Sequence, residues 1–475
     1  MDAAPPPPSK HPAGSLRELL AVAVPLAVST GSVSVAQVVD RAYLARLDPD
    51  ALAAVMPAGM LHWALMSPFL GVAMTVNTFV AQGTAAGRRR EAAAAVWQGA
   101  WVAVAAGACF AALAPLAPSL FALAGHGAAV ERYEADYFAV LCLGGLPTVA
   151  SFALAGWHGG RGRTGVVMAV NLALAVVNVA LDRVLIFGLG PVPACGVRGA
   201  AAATGLAFAA ACGLYLVLLS REDGFLSAWR VDRALMRRLL RFGVPTGLHY
   251  LADVAALTAF LLLVGRLGAG GLAATSLTFN LNSLCFLPAV GLGSAASILV
   301  GHRVGEGRPR LAVRTGWLAA GVGGAGMLAS GALFWLFPGP LIALYVGDGG
   351  SFTPAEEAAL YAVAPTLLKF VAAYSLFDVL AVVLGGAVRG AGDVTFPLVW
   401  TTACAWGLMV IPTAAVVWWE PLTGGTLTER EGVIAAWACA AAYIAVCGLG
   451  MAARFAGGKW QGMTVLGEGA VGSRK

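Results

Sequence analysis

Long apolar runs separated by short polar linkers recur along the whole chain and dominate its pattern of hydrophobic and polar positions. Each run is long enough for a helix to cross the ~30 Å hydrocarbon core of a bilayer. The runs predict twelve helices, at residues 16–44, 52–82, 92–122, 132–157, 164–188, 196–219, 234–265, 272–302, 311–336, 355–388, 394–418 and 432–454. The pattern therefore predicts an all-α integral membrane protein with twelve transmembrane helices.

The composition supports the membrane class. Hydrophobic residues make up 59% of the 475 positions and Asp, Glu, Lys and Arg together only 11%, against about a quarter charged in ordinary soluble domains. Residues 1–15, with four consecutive prolines, predict a disordered N-terminal tail. This tail lacks the apolar core and cleavage site of a signal peptide, so we expect the first helix to be retained.

The basic residues predict the orientation of the helices. The linkers after helices 2, 4, 6, 8 and 10, together with both tails, carry 22 of the 30 Lys and Arg, and the opposite linkers carry five. Because basic linkers stay on the inner side of a membrane, we expect a multi-pass protein of the plasma (inner) membrane with both termini in the cytoplasm. The same clustering accounts for the net charge of +6, so nucleic acid is not an expected partner.

The chain matches itself at an offset of 220 residues, without gaps, from about residue 17 to 92. The most informative matches pair Pro25 with Pro245, Arg46 with Arg266, Pro68 with Pro288, Gly71 with Gly291, and Gly87-Arg88 with Gly307-Arg308. The offset spans six helices, an even number, so both halves cross the membrane in the same direction. We therefore expect two six-helix bundles related by a parallel pseudo-two-fold repeat, an organisation that favours a secondary transporter.

The repeat divides the chain into domains. We expect a disordered tail (1–15), an N-lobe (16–219), an inter-lobe linker (220–233), a C-lobe (234–454) and a cytoplasmic C-terminal tail (455–475). The linker and both tails would lie on the cytoplasmic side.

Four carboxylates stand out among those deep inside the predicted spans: Asp40, Asp182, Asp253 and Asp378. Because charged groups within the bilayer are costly, each one is a candidate for function. Asn178 precedes Asp182 by four residues, and Asn171 precedes Asn178 by seven, so the three form one polar stripe that can hold a cation or a proton. The alternative for the asparagines is hydrogen bonding between helices.

In the second half, Tyr374 precedes Asp378 by four residues and His249 precedes Asp253 by four, so each pair shares a helical face. A phenol or an imidazole beside a carboxylate can bind a cation or adjust the proton affinity of the acid. The alternative for His249 is a hydrogen-bonded interior histidine with a structural role.

At these residues the chain resembles the multidrug and toxic compound extrusion (MATE) family, in particular its NorM-type bacterial branch. The resemblance covers about residues 15–455. It is carried by the segments Phe242-Gly243-Val244-Pro245 with Asp253, Val300-Gly301-His302-Arg303-Val304-Gly305-Glu306, Tyr374-x-x-x-Asp378, Val388-Arg389-Gly390-x-Gly392-Asp393, Val39-Asp40, Asn178-x-x-x-Asp182 and Gly196-Val197-x-Gly199-Ala200-Ala201-x-Ala203-Thr204.

The resemblance implies a monomeric antiporter, without a cofactor, that exports amphipathic and often cationic organic compounds by alternating access. It implies an N-lobe coupling site at Asp40, Asn178, Asp182 and Thr204, and a C-lobe site at Asp253, Asp378 and Tyr374. Na⁺ or H⁺ would be the coupling ion at these residues. The chain departs from the family at Asp253, where relatives often have Glu, and at Thr275-Ser276, where they have a His-Gln pair. The coupling lobe and the identity of the ion stay open.

Two rival functions remain. A lipid-linked saccharide flippase of the same architecture needs basic residues in its cavity, and Arg41, Arg183 and Lys369 are the in-span candidates. The second rival, a membrane enzyme, is disfavoured. The only string that looks like a phosphate-binding loop, Gly160-x-Gly162-x-x-Gly165, lies in a short linker between helices and not after a strand.

Overall fold

A computed structural model describes residues 11–123, 125–346, 354–419 and 427–466. Within these ranges the chain consists of helices joined by short turns. The first ten residues of the predicted disordered tail lie outside the described residues, as do positions 467–475 of the predicted C-terminal tail.

The described helices form twelve candidate spans, numbered α1 to α12 in chain order. Eleven are long and apolar enough to cross a membrane, and one bent pair, α4, makes the twelfth, which confirms the predicted number. Their bounds are α1 Leu16–Leu47, α2 Pro49–Ala85, α3 Arg89–Leu113, α4 Ala128–Leu143 with Gly145–Gly160, α5 Thr164–Phe187, α6 Gly196–Ser220, α7 Arg233–Leu267, α8 Ala269–Gly305, α9 Pro309–Leu336, α10 Pro354–Ala391, α11 Thr395–Cys404 continuing through Ala405–Val410 to Ile411–Val417, and α12 Glu429–Ala456.

Two spans are irregular. Helix α4 bends by 47° at Gly144. A Cβ atom at Gly144 would lie 3.0 Å from Gly205 Cα, so the bend follows a close approach of α4 to α6. Helix α11 contains a π-helical turn at Ala405–Val410, a feature that often occurs at functional sites.

The predicted repeat is present in the backbone. Gly87 ends α2 with a φ of 78°, and Gly307, 220 residues later, ends α8 with a φ of 70°. The Arg88 amide donates to Gly83 O at 2.7 Å, and the Arg308 amide donates to Arg303 O at 2.8 Å. Left-handed backbone of this kind favours glycine, which explains why both turns carry it.

The packing of the helices follows the same symmetry. In the first lobe α1 packs against α5, and α4 packs against α2 and α3; in the second, α7 packs against α11, and α10 packs against α8 and α9. Between the lobes α1 packs against α8, and α2 against α7. These two interfaces correspond to each other under the repeat, so the structure confirms a parallel two-lobe fold.

We call one end of the bundle the basic face; it comprises the α2–α3, α4–α5, α8–α9 and α10–α11 turns and the α6–α7 linker. The Arg303 guanidinium of α8 bonds Glu18 of α1 at 2.5 Å, and both side chains are buried. Arg238 of α7 bonds Glu91 of α3 at 2.7 Å. The His302 ring contacts Gly160 O at 2.5 Å. Each contact joins the two lobes, so they are held together at the basic face.

The predicted inter-lobe linker is folded onto the first lobe. Phe225 is buried, and its carbonyl accepts a hydrogen bond from Trp97 Nε1 at 3.0 Å. The Glu222 carboxylate lies 2.7–3.0 Å from the guanidinium groups of Arg89, Arg161 and Arg163. Burial alone would raise the pKa of Glu222, but these arginines, led by Arg161, outweigh burial and lower that pKa.

The glycine-rich string Gly160–Gly165 forms the turn between α4 and α5, as predicted. Gly162 has a φ of 73°, and a Cβ atom at Gly160 would lie 2.6 Å from Asn77 O. The glycines therefore serve a tight turn and a close approach of α4 to α2.

Candidate functional site

The first candidate site lies in the N-lobe, where α1 carries Asp40 and α5 carries Asn178 and Asp182. These side chains are buried, with exposed fractions of 9%, 7% and 0%. Asp40 Oδ1, both carboxylate oxygens of Asp182 and Asn178 Nδ2 lack a hydrogen-bond partner among the described residues. Asp40 and Asp182 also lie close enough to interact electrostatically. Buried polar groups are normally hydrogen-bonded, so this cluster is suited to a bound ion, proton or water.

One residue of this site was missed by the sequence analysis. Tyr137, in the first segment of α4, is buried and interacts electrostatically with both Asp40 and Asp182. Its phenol therefore lies in the same region of the lobe as the two acids. Because no motif in the sequence links α4 to α1 and α5, only the fold brings Tyr137 to the acids.

Two polar residues near this site are engaged elsewhere. The Thr204 hydroxyl donates to Ala200 O of its own helix at 3.3 Å. Asn171 Nδ2 donates to Ser29 Oγ of α1 at 2.6 Å. Asn171 therefore makes a hydrogen bond between helices, the alternative that the sequence left open for the asparagines.

The second candidate site is a cavity of about 550 Å³ lined by α7, α8, α10, α11 and α12 of the C-lobe and by α2 of the N-lobe. Asp253, Asp378 and Tyr374 all line it, so the fold brings the predicted C-lobe residues together. The rest of the wall is largely apolar, and its aromatic members include Tyr250, Phe279, Phe286, Trp437 and Tyr443. Two acids in an aromatic wall can hold an amphipathic cation through charge and cation–π contacts.

His249 supports Asp253 from the preceding turn of α7. His249 Nε2 lies 3.5 Å from Asp253 Oδ2, and His249 Nδ1 contacts Thr401 Oγ1 of α11 at 2.8 Å. Thr401 Oγ1 also donates to Pro397 O at 2.5 Å. The ring is thus fixed between two helices, as expected for a satisfied interior histidine, and it also faces the acid.

Tyr443 and Trp437 of α12 are further residues that the sequence analysis missed. Tyr443 interacts electrostatically with both Asp253 and Asp378. Trp437 Nε1 donates to Thr275 Oγ1 at 3.0 Å, and the Thr275 side chain is fully buried. Thr275 therefore holds an aromatic wall residue in place.

One basic residue, Arg389, lies in a different place from the one that the sequence predicted. Arg389 was assigned to a linker, but it lies in the last turn of α10 and lines the C-lobe cavity. Its electrostatic partners include Asp253. The assignment of Arg389 to a linker was wrong because α10 continues beyond the apolar run, to Ala391.

The three in-span candidates of the flippase reading lie on exposed helix surfaces. Arg183 stacks over Phe187 at 5.1 Å, and Lys369 stacks over Trp335 at 5.7 Å. Neither they nor Arg41 line the cavity. These three residues therefore offer nothing to a saccharide pyrophosphate, and Arg389, which does line the cavity, interacts with Asp253. The flippase reading is not favoured.

Among the described residues no group of three or more His, Cys, Asp and Glu is arranged to hold a metal ion. A cation in either lobe would therefore be held by the two carboxylates together with neutral oxygens such as those of tyrosine or asparagine.

Comparison with known proteins decides the family. The sequence model of the MatE family matches residues 25–184 and 245–416, one segment in each lobe. The chain belongs to the MatE family. Membership confirms the expectation of a transporter and not an enzyme, and it agrees with the resemblance found in the motifs.

Individual relatives agree with this membership. The chain is 31% identical to a probable multidrug resistance protein NorM of Deinococcus radiodurans, covering 84% of this chain and 88% of that protein. It is 31% identical to a probable multidrug resistance protein NorM of Burkholderia mallei, covering 86% of each. A solved structure of a multidrug resistance MATE family transporter of the MOP superfamily, in an outward-facing conformation, has a TM-score of 0.81 at 19% identity and covers 93% of this chain and 96% of that one.

Proposed function

We propose that this MatE-family protein is a multidrug efflux antiporter that couples export of amphipathic, often cationic organic compounds to entry of Na⁺ or H⁺. The observation that carries the proposal is the C-lobe cavity, where Asp253 and Asp378 stand in a wall of aromatic side chains. An organic cation and a small cation compete for such carboxylates, so binding of one releases the other, as exchange requires.

The basic face is the cytoplasmic side in this proposal, since inner loops carry the excess of Lys and Arg. The protein is then a monomer of the inner membrane with both termini in the cytoplasm. The inter-lobe contacts Glu18–Arg303 and Glu91–Arg238 join the lobes on this side, so this structure corresponds to a state closed toward the cytoplasm. Rocking of the lobes about the α1–α8 and α2–α7 interfaces would expose the cavity to the cytoplasm.

The membrane potential supplies part of the driving force. Each elementary charge that moves inward gains about 2.3 kcal/mol per 100 mV. The N-lobe cluster of Asp40, Asn178 and Asp182, with Tyr137 nearby, is a second place for the coupling ion. Asp40 Oδ1 and both carboxylate oxygens of Asp182 have no hydrogen-bond partner among the described residues, which supports a role in binding an ion or a proton.

The test is accumulation of a fluorescent organic cation in everted membrane vesicles, under an imposed Na⁺ or H⁺ gradient directed outward from the vesicle lumen. We expect accumulation with at least one of the two gradients. Asp182→Asn removes a charge from the N-lobe site and Asp378→Asn removes one from the C-lobe site, each at nearly constant side-chain volume. In at least one of these variants, accumulation of the organic cation should no longer depend on the ion gradient. Accumulation that proceeds equally without a gradient would refute the coupling.

The matched control is Asp223→Asn, the same chemical change at an exposed position of the inter-lobe linker. It should transport like the parent. If Asp182→Asn and Asp378→Asn both transport like this control, neither site couples transport. Lipid flipping without cation export would instead restore the flippase reading.

A further inference from the structure

The segment that follows α12 crosses from one lobe to the other at the basic face. We call residues Lys459–Leu466 the strap. It begins with a 3₁₀ turn, Lys459–Gly462, in which Trp460 is fully buried. The Trp460 ring stacks on Phe455 at 4.8 Å, and its Nε1 donates to Phe455 O at 2.8 Å. The start of the strap is thus anchored to the C-lobe.

The end of the strap is hydrogen-bonded to a side chain of the N-lobe. Gln82 of α2 is fully buried. Its Oε1 accepts hydrogen bonds from Thr464 Oγ1 at 2.9 Å and from the Val465 amide at 3.0 Å. Its Nε2 donates to Gly390 O of α10 at 2.9 Å. One amide group therefore ties α2 to both the strap and the end of α10.

The strap also closes the cavity. Val465 is 1% exposed; it lines the C-lobe cavity and belongs to the hydrophobic cluster that is otherwise built mainly from the N-lobe. A Cβ atom at Gly392 would lie 3.2 Å from Val465 Cγ1, so the α10–α11 turn fits closely around it. Val465 is therefore a plug at the basic-face end of the cavity.

Opening of the cavity toward the basic face must separate α2 from α10. That movement breaks the Gln82–Gly390 bond, and it cannot proceed while Gln82 holds the strap across the gap. We propose that Gln82 and the strap form a latch that keeps the lobes closed at the basic face and is released once per transport cycle. The proposal rests on the alternating-access function given above, and Gln82 acts in it as a positioning residue.

Hydrogen–deuterium exchange of the purified full-length protein tests the latch without requiring transport. Gln82→Leu keeps a branched side chain of similar volume but removes all three hydrogen bonds. We expect amides of the strap, Val465 above all, to exchange at least about fivefold faster, the factor that corresponds to about one net hydrogen bond. The α2–α3 and α10–α11 turns should exchange faster as well, whereas the α1–α2 junction at the opposite face should not change.

A second pair of variants separates the latch from a general loss of packing. Thr464→Val removes the hydroxyl that donates to Gln82 and accepts from the Leu466 amide at 3.1 Å, whereas Thr464→Ser retains it. Thr464→Val should increase exchange in the strap and in the α2–α3 turn, and Thr464→Ser should match the parent. If Gln82→Leu does not fold, this pair carries the test.

Unchanged exchange in the strap and the two turns of folded Gln82→Leu or Thr464→Val would overturn the latch. Faster exchange limited to the strap, with both turns unchanged, would also overturn it, because the strap would then not hold the lobes. Neither result depends on transport by the parent, so failure of the latch and failure of the proposed function are distinguishable.

Discussion

The α2–α7 interface gives a quantitative prediction, because two helix backbones touch there. A Cβ atom at Gly247 of α7 would lie 2.5 Å from Pro68 Cα, 2.5 Å from Ser67 O and 2.8 Å from Pro68 O. All three atoms belong to the α2 backbone, which cannot rotate away as a flexible side chain would. Gly247→Ala must therefore push the two lobes apart at their junction.

The size of the effect follows from the missing space. Carbon atoms in contact prefer a separation of about 3.5–4.0 Å, so the new methyl group lacks roughly 1 Å. Overpacking of this kind costs about 1–3 kcal/mol, and the upper part of that range applies because backbone has to move. Alanine regains about 1 kcal/mol over glycine within a helix. The expected net loss of stability is on the order of 1–2 kcal/mol.

The assay is thermal unfolding of the purified protein, followed by intrinsic tryptophan fluorescence. The control is Gly31→Ala on α1, where nothing lies within 4 Å of the added Cβ. Both variants gain the same helix propensity, so their difference isolates the contact between the lobes. Gly247→Ala should unfold below the parent temperature, and Gly31→Ala at or above it. Equal unfolding temperatures for the two variants would refute the reasoning.

Other predictions concern single contacts. Because the surrounding arginines outweigh burial and lower the pKa of Glu222, Glu222→Gln should lower the unfolding temperature at neutral pH. That difference should shrink as the pH falls through the pKa of Glu222 in the folded protein, since the parent then loses the same charge; a pH-independent difference would contradict the ion-pair account. Trp437→Phe leaves Thr275 without its donor, and we expect a loss of about 1 kcal/mol with weaker binding of an organic cation, measured by fluorescence titration; binding equal to that of the parent would show that the wall residue need not be held. Thr401→Val removes the partner of His249 and should change the pH profile of transport more than the stability, whereas Thr401→Ser should match the parent in both.

The helices and the repeat were predictable because local chemistry encodes them. Apolar runs mark the spans, and Gly87 and Gly307 mark equivalent turns that need left-handed backbone. The bend at Gly144 was not predictable, because it depends on Gly205 of a helix that is distant in the sequence. The same is true of α10, whose last turn extends past the apolar run and brings Arg389 to the cavity.

The candidate sites were predictable where they contain charge. Acids inside spans are conspicuous, and Asp253 and Asp378 do meet in one cavity. Tyr137, Tyr443 and Trp437 carry no such signal, since an aromatic residue in an apolar run is ordinary. Only the packing of α4 and α12 shows that these side chains reach the acids and the cavity wall.

The two lobes have the same arrangement of helices but carry their acidic residues at different positions. Asp40 of α1 corresponds under the repeat to Phe260 of α7, which is fully buried in the hydrophobic core of the C-lobe. Asp253 of α7 corresponds to Val33 of α1. The first lobe therefore holds a small buried acid cluster, whereas the second holds acids in a wide cavity. This difference is compatible with the proposal that ion and organic compound compete in the C-lobe cavity while the N-lobe cluster is a second place for the ion.

The central claim is that organic compound and small cation move in exchange, and substrate-driven ion movement measures it most directly. Purified protein is reconstituted in liposomes that contain a pH-sensitive or Na⁺-sensitive dye, and an organic cation is added outside with no ion gradient present. The account predicts that entry of the compound drives H⁺ or Na⁺ out of the liposomes, and that Asp182→Asn combined with Asp378→Asn stops this movement. Entry of the compound into the liposomes without movement of either H⁺ or Na⁺ would contradict the exchange.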